Sequence, residues 1–406
     1  MKVLQINTVF GRGSTGRIVA DIHNLLPKRG HIGKVVYGRY KAPENIDAVK
    51  IGSKVATIYH VFQTRIFDRQ GFASKKATKQ LIAVIEEYQP DIIHLHNLHG
   101  YYLNVKLLFN YLAKKDTPIV WTFHDCWPYT GHCVHFDYIG CKKWKTKCFA
   151  CPKKKEYPNS FLFDNSRKNY RQKKALFTLP NNVTVVTVSD WLKGQVEQSF
   201  MSKYNVVRIY NGIDRKVFQP TESNLKERLG ITDKFMMLGV SDTWSERKGL
   251  SYFMKLSQEL KEDEALVMVG FKKEELAGLP KNIIALGRTD SEQQLVEFYS
   301  AADVVLNPSF EETFGLVTAE ALSCGTPVIV SNTTASPELV DETCGRVVKK
   351  NDYEGFKRAI AEIKASPIEK EVCLKRAELF DKEKNYQLYI DLYEKIVGVS
   401  KLEELL

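Results

Sequence analysis

Glu312 and Glu320 stand eight positions apart in the run PSFEETFGLVTAEALSCGTPVIVS. An apolar strand ends at Pro308, Glu312 follows in a loop, and Phe314-Gly315-Leu316 opens a helix that carries Glu320. A carboxylate accepts two hydrogen bonds from vicinal hydroxyls, the pattern a ribose or a hexose presents. Backbone N–H groups at a helix start suit phosphate. The two acids can therefore face different parts of one extended ligand. Glu320 alone would read as an exposed helix acid; the strand end and the glycine change that reading.

Gly11-Arg12-Gly13-Ser14-Thr15-Gly16 fits G-x-G-x-x-G after the first strand and before a helix, so an NADP-dependent oxidoreductase is one reading. Thr8, Val9 and Phe10 lengthen the turn, and Tyr37-Gly38-Arg39 ends the second strand without an acid to hold a ribose. The alternatives are a loop that approaches an anionic ligand and a purely structural turn.

The run PIVWTFHDCWPYTGHC places His124 and Asp125 at the end of a buried strand. His94 and His96 share one face of the strand DIIHLH, and His99 lies beyond its end. Cys133, Cys141, Cys148 and Cys151 follow, the last two as Cys-x-x-Cys. Four thiols can hold a structural zinc that orders an irregular loop, or remain reduced thiols. Cys126, His132 and His135 are substitute ligands.

These residues sit at the ends of short apolar runs that alternate with segments of helical period. VLQIN, KVVYG, DIIHLH, PIVWTF, VTVVTVS and VVRIYNG form one series; KFMMLGV, ALVMVG, NIIALG, DVVLNPS and TPVIVS form a second. Continuous apolar strands between helices indicate parallel sheets covered on both faces. Ligands of such sheets bind beyond the C-terminal strand ends, so two facing halves would form a cleft. The expected division is 1–210 as an N-terminal Rossmann-like domain with a Cys-rich basic loop at 126–175, and 211–375 as a C-terminal Rossmann-like domain. Residues 376–406 form a helical segment, with packing back on the N-terminal domain as one option.

The 406 residues carry 59 basic and 48 acidic side chains, a net charge of +11. Residues 140–175 hold twelve Lys or Arg and two acids, so they account for +10. That segment suits phospholipid headgroups, a phosphorylated acceptor or nucleic acid, or is a solvated loop. Trp144, Phe149, Tyr157, Phe161 and Phe163 lie among the lysines, which keeps a zinc-containing nucleic-acid-binding protein as a further alternative. No apolar run reaches the roughly 18 residues of a membrane span. The opening MKVLQIN lacks the pattern of a signal peptide, so the cytoplasm is the expected location.

As a set, these motifs resemble retaining glycosyltransferases of family 4, of the type found in bacterial polysaccharide biosynthesis. The resemblance rests on the pair Glu312–Glu320, on GVSDTWSERKGL, on LGRTDSEQQLVEFYSAADVVLNPS, on Ile209-Tyr210-Asn211-Gly212-Ile213-Asp214 and on Gly16-Arg17, and it covers nearly the whole chain. It implies the GT-B fold: two facing Rossmann-like domains with parallel sheets and an interdomain cleft. It implies a UDP- or GDP-sugar donor and a glycan or polyprenyl-linked acceptor, without nucleic acid. It implies that Glu312, Lys248 and His124 serve catalysis. Gly16, Arg17, Arg247, Arg288, Phe314, Gly315, Leu316, Val317 and Glu320 would join them at the donor, with Asp125 and His99 on the acceptor side. The family commonly carries an Arg six residues before the Lys; here that position is Asp242, and Arg247 is the expected substitute. No cofactor is required for the transfer on this reading. An acceptor carried by lipid would bring the basic segment to an anionic membrane, at the inner face of the plasma membrane.

Overall fold

The computed structural model describes residues 1–43 and 46–403, with side chains through Gly398. The chain divides into two compact α/β units. One comprises Met1–Tyr210 and the segment from Tyr386 onward; the other is Asn211–Asn385.

The first unit is built on seven strands: β1 (Lys2–Asn7), β2 (Ile32–Tyr37), β3 (Ala48–Lys50), β4 (Ile92–Leu95), β5 (Ile119–Phe123), β6 (Val183–Thr187) and β7 (Asn205–Arg208). All pair in parallel, in the order β3-β2-β1-β4-β5-β6-β7. β4 and β5 are buried at every position, as strands between two helical layers must be. The strand order reverses between β1 and β4, so the loops leaving their C-terminal ends part there and open a crevice. The glycine loop, His99 and His124 all follow strand ends on that edge.

The second unit repeats the plan with β8 (Phe235–Val240), β9 (Glu264–Phe271), β10 (Ile283–Gly287), β11 (Val304–Asn307), β12 (Val328–Asn332) and β13 (Gly345–Lys349). The order is β10-β9-β8-β11-β12-β13, again all parallel. Here the switch point lies between β8 and β11. The loop after β8 carries Arg247 and Lys248; the loop after β11 carries Glu312.

Helix Lys382–Glu403 begins in the second unit and from Tyr386 belongs to the first. Its Tyr386, Tyr389, Ile390, Tyr393 and Val397 recur at helical spacing and pack with Val3, Ile22, Ile92, Val120 and Val186. The boundary therefore falls ten residues beyond the expected 375, because Cys373, Ala377 and Phe380 are buried within the second unit.

Two expectations about the basic segment are corrected. Its last part is not loop but the helix Ser166–Phe177. Nor is all its charge available outside. Lys153 is buried, paired with Glu156 at 2.6 Å, and Lys173 is buried with its ammonium donating to the carbonyls of Trp127 and Thr130. Burial lowers the Lys173 pKa to about 7. Trp144 is also interior.

Candidate active-site residues

In the second unit two loops are locked together where β8 and β11 diverge. Gly249 makes this possible: its φ is +74°, and a Cβ there would meet the Pro308 carbonyl oxygen at 2.6 Å. The close approach seats Lys248 against the β11 loop. Its ammonium lies 2.6 Å from Glu312 Oε1. Arg247 donates to the Glu311 carbonyl at 2.8 Å and accepts from Phe310 N–H through its own carbonyl. Glu312 N–H donates to Thr334 Oγ1 at 2.8 Å, which fixes the loop from its other side. Burial pushes the Glu312 carboxyl up, but the charges of Lys248 and Arg247 and the hydrogen bonds from Lys248 and Ser309 outweigh it, so its pKa falls below the ordinary value. Glu312 is therefore an anion at neutral pH.

Gly315 follows at φ +107°, a conformation suited to glycine, and caps the helix Leu316–Ser323. Phe314 is buried and stacks edge-on against Phe380. Glu320 sits on the helix with its Oε2 accepting from the buried Tyr299 hydroxyl at 2.9 Å. This leaves the helix start, with Gly315, Leu316 and Val317, between the two acids in sequence. Arg288 donates to the Asp242 carbonyl at 2.6 Å, so a guanidinium reaches the backbone where the resembled family has an Arg side chain.

In the first unit the β4 and β5 ends carry a connected set. His96 Nδ1 and His124 Nε2 share a hydrogen bond of 3.1 Å, and their rings stack nearly parallel. Behind them His94 Nε2 donates to Thr122 Oγ1 at 2.8 Å, while the Tyr393 hydroxyl donates to His94 Nδ1. Burial holds His124 at a pKa of about 4 and lowers His94 and His96 well below the usual range. All three are neutral near pH 7. A second chain runs from Gln70 to the Tyr157 hydroxyl, on to His99 Nδ1, and from His99 Nε2 to Asp125 Oδ2 at 2.7 Å. Asp125 Oδ1 accepts from Trp127 N–H. Burial raises the Asp125 pKa, but His99 and the Trp127 amide bring it below the ordinary value.

The glycine loop closes on itself through Gly11 N–H to Gly16 O, 2.9 Å. Helix Gly13–Leu25 already contains Gly16, buried against Val9, and Arg17 is exposed on its first turns. The loop's third glycine is thus a packing residue of a helix.

The cysteine loop brings Cys133 and Cys151 into a thiol–thiol hydrogen bond that raises the first pKa and lowers the second. Cys148 Sγ accepts from Gly131 N–H at 3.2 Å. Among the described residues no group of three or more His, Cys, Asp or Glu side chains is arranged to hold a metal ion. Cys133 and Cys148 each feel the charge of neighbouring thiols, Cys133 that of Cys151 and Cys148, and Cys148 that of Cys151 and Cys141, so the four cysteines of the loop lie near one another.

Residues 15–217, half of the chain, match the family described as Glycosyltransferase Family 4, and residues 221–380 match Glycosyl transferases group 1. The chain belongs to glycosyltransferase family 4. It is a glycosyltransferase, and the dinucleotide and nucleic-acid readings fall. Over 376 residues this transferase is 26% identical to the putative colanic acid biosynthesis glycosyl transferase WcaC of Escherichia coli K12, covering 87% of this chain and 88% of that one. The sucrose-phosphate synthase of Thermosynechococcus elongatus superposes with a TM-score of 0.73 at 18% identity, covering 98% and 99%. HepE of Anabaena, solved with UDP and glucose, superposes at 0.65 and 17% identity, covering 97% and 100%. These likenesses show the two-domain GT-B fold.

Sequence reasoning did not find His96 as the partner of His124, Tyr393 as the partner of His94, or the buried role of Lys173. The alternation of His94 and His96 hinted at the first. The others depend on segments far apart in sequence.

Among the described residues no helix is long and apolar enough to cross a membrane.

Proposed function

We propose that this transferase moves a sugar, with retention of anomeric configuration, from a nucleoside diphosphate sugar to a glycan or lipid-linked saccharide in polysaccharide assembly. The observation that carries the reading is the Lys248–Glu312 pair, set at the β8/β11 switch point beside the Gly315 helix start. Lys248 and Arg247 supply fixed positive charge where a departing diphosphate gains negative charge. The first N–H groups of the Leu316–Ser323 helix face the same anion. Glu312 accepts from the hydroxyls of the transferred sugar, and Glu320 from the ribose. His124, neutral and held by His96, hydrogen-bonds the reacting sugar rather than removing a proton. Asp125 and His99 line the acceptor side. With no side chain assigned as a nucleophile, the acceptor attacks on the leaving-group face and the departing phosphate takes its proton.

WcaC is named for colanic acid biosynthesis, and HepE was solved with UDP and glucose; both support this choice of donor and pathway. The basic loop of the first unit would meet an anionic membrane that presents the acceptor. The test is the anomeric configuration of the product by NMR after incubation with UDP- and GDP-sugars. Retention is expected, and an inverted product would overturn the mechanism.

A further inference from the structure

Helix Lys54–Phe67 is packed the wrong way round for a helix of a globular unit. The side chains it buries fully are polar, His60 and Thr64. His60 accepts from Gly71 N–H at 3.0 Å and shares a hydrogen bond with Ser74. Its apolar Val55, Ile58 and Phe62, three and four residues apart, form a stripe that faces water. Phe161, Leu162 and Phe163 extend this stripe from the basic loop, and all six are between 53% and 76% exposed. The two pieces are joined. Phe161 and Phe163 N–H donate to the carbonyls of Arg65 and Ile66, at 2.7 and 3.1 Å, which satisfies the helix's last turn. Phe163 stacks on Phe67, and Phe67 meets Phe62 edge-on.

We propose that this surface inserts into an anionic bilayer interface and seats the first unit there. The inference rests on the reading that the acceptor is met at such a surface, and it names the part that enters. Charge decides for lipid over a protein groove. The helix carries Lys54 and Arg65 and no acid. Arg65 lies 5.7 Å from the Phe161 ring centroid, and Lys154 donates to the Leu162 carbonyl at 3.0 Å. Lys143 and Lys147 stand over the half-exposed Phe149 at 4.6 and 5.6 Å. Exposed apolar side chains with cations among them suit acyl chains below a layer of anionic headgroups. A solvated monomer rarely leaves such a contiguous patch bare.

Flotation of the full chain with vesicles tests it, using phosphatidylcholine alone and phosphatidylcholine mixed with phosphatidylglycerol. Binding to the mixed vesicles is expected, weakening as salt shortens the Debye length from about 10 Å at 0.1 M to about 3 Å at 1 M. The variant Ile58→Ser/Phe62→Ser/Leu162→Ser should melt as the parent does and lose binding at least roughly tenfold, since it removes the inserted side chains and leaves every cation. Parental binding by that variant overturns the insertion. So does a dimer of the parent that the variant dissolves, which would assign the stripe to a second copy. Nucleotide-sugar stabilisation measured on the same two proteins reports separately on the transferase reading, so either can fail alone.

Discussion

Glu312 is an anion kept inside the protein by two neighbouring cations. Substituting Gln preserves shape and removes the charge that Lys248 balances. On the proposed role this lowers kcat about a hundredfold, by the scale of losing one interaction aimed at the transition state. On its proposed role at the spectator ribose, Glu320→Gln should raise the donor KM roughly tenfold with a smaller change in kcat. Steady-state kinetics separates the two patterns; parental rates in Glu312→Gln would remove it from the site. On the proposed role of His124, His96 is its positioning residue, through their shared hydrogen bond. His96→Ala should lower kcat more than it raises KM, and His96→Gln, which can still hydrogen-bond His124, should recover part of the loss. The placement of these carboxylates, one in the loop after a strand and one on the next helix, was legible because strand end, glycine and acid occur together in one short run. The histidine chain was not, because its far end is Tyr393, 299 positions from His94, and periodicity carries no information about such pairings.

Elements were read well where burial is two-sided. Fully buried runs such as Ile92–Leu95 and Ile119–Phe123 are what a central parallel strand requires, and the helix read at Leu316–Ser323 forms there. Reading failed where a pattern gives a face but not its partner. Helix Lys54–Phe67 is amphipathic either way round; only packing shows that its polar side is inside. The charge of residues 140–175 could not reveal that Lys153 and Lys173 are buried. The terminal helix offers a test at this scale. Tyr393→Phe leaves His94 Nδ1 buried without its donor and should cost about 1–3 kcal/mol. Tyr393→Ala adds a cavity and should cost about 3–5 kcal/mol, read as loss of stability in the first unit by denaturant unfolding. Gly249→Ala should cost at least about 1–3 kcal/mol, because it strains a left-handed residue and drives a Cβ toward Pro308. It should also raise the donor KM by displacing Lys248.

At the scale of the molecule, four buried neutral histidines tie stability to pH. His60 lies at a pKa of about 3 and His124 at about 4, with His94 and His96 also lowered, all first through burial. In the unfolded chain each takes a proton near pH 6.5, so the unfolded state binds more protons below that pH. Stability is full above pH 6.5 and lost as pH falls toward the folded values, by about 1.4 kcal/mol per pH unit for each group. All four belong to the first unit, which should therefore unfold first on acidification. His60→Gln should flatten the slope of stability against pH by about one proton between pH 4.5 and 6.

On the proposed function the β8/β11 switch point binds a nucleoside diphosphate sugar through Lys248, Glu312 and Glu320. Thermal unfolding with UDP-sugars, GDP-sugars and NADP as separate additives tests it most directly. At least one nucleotide sugar should stabilise the parent, by about 2.7 kcal/mol at a hundredfold excess over its dissociation constant, and stabilise Glu320→Gln less, while NADP has no effect. Equal stabilisation of parent and Glu320→Gln, or a response to NADP alone, would contradict the account.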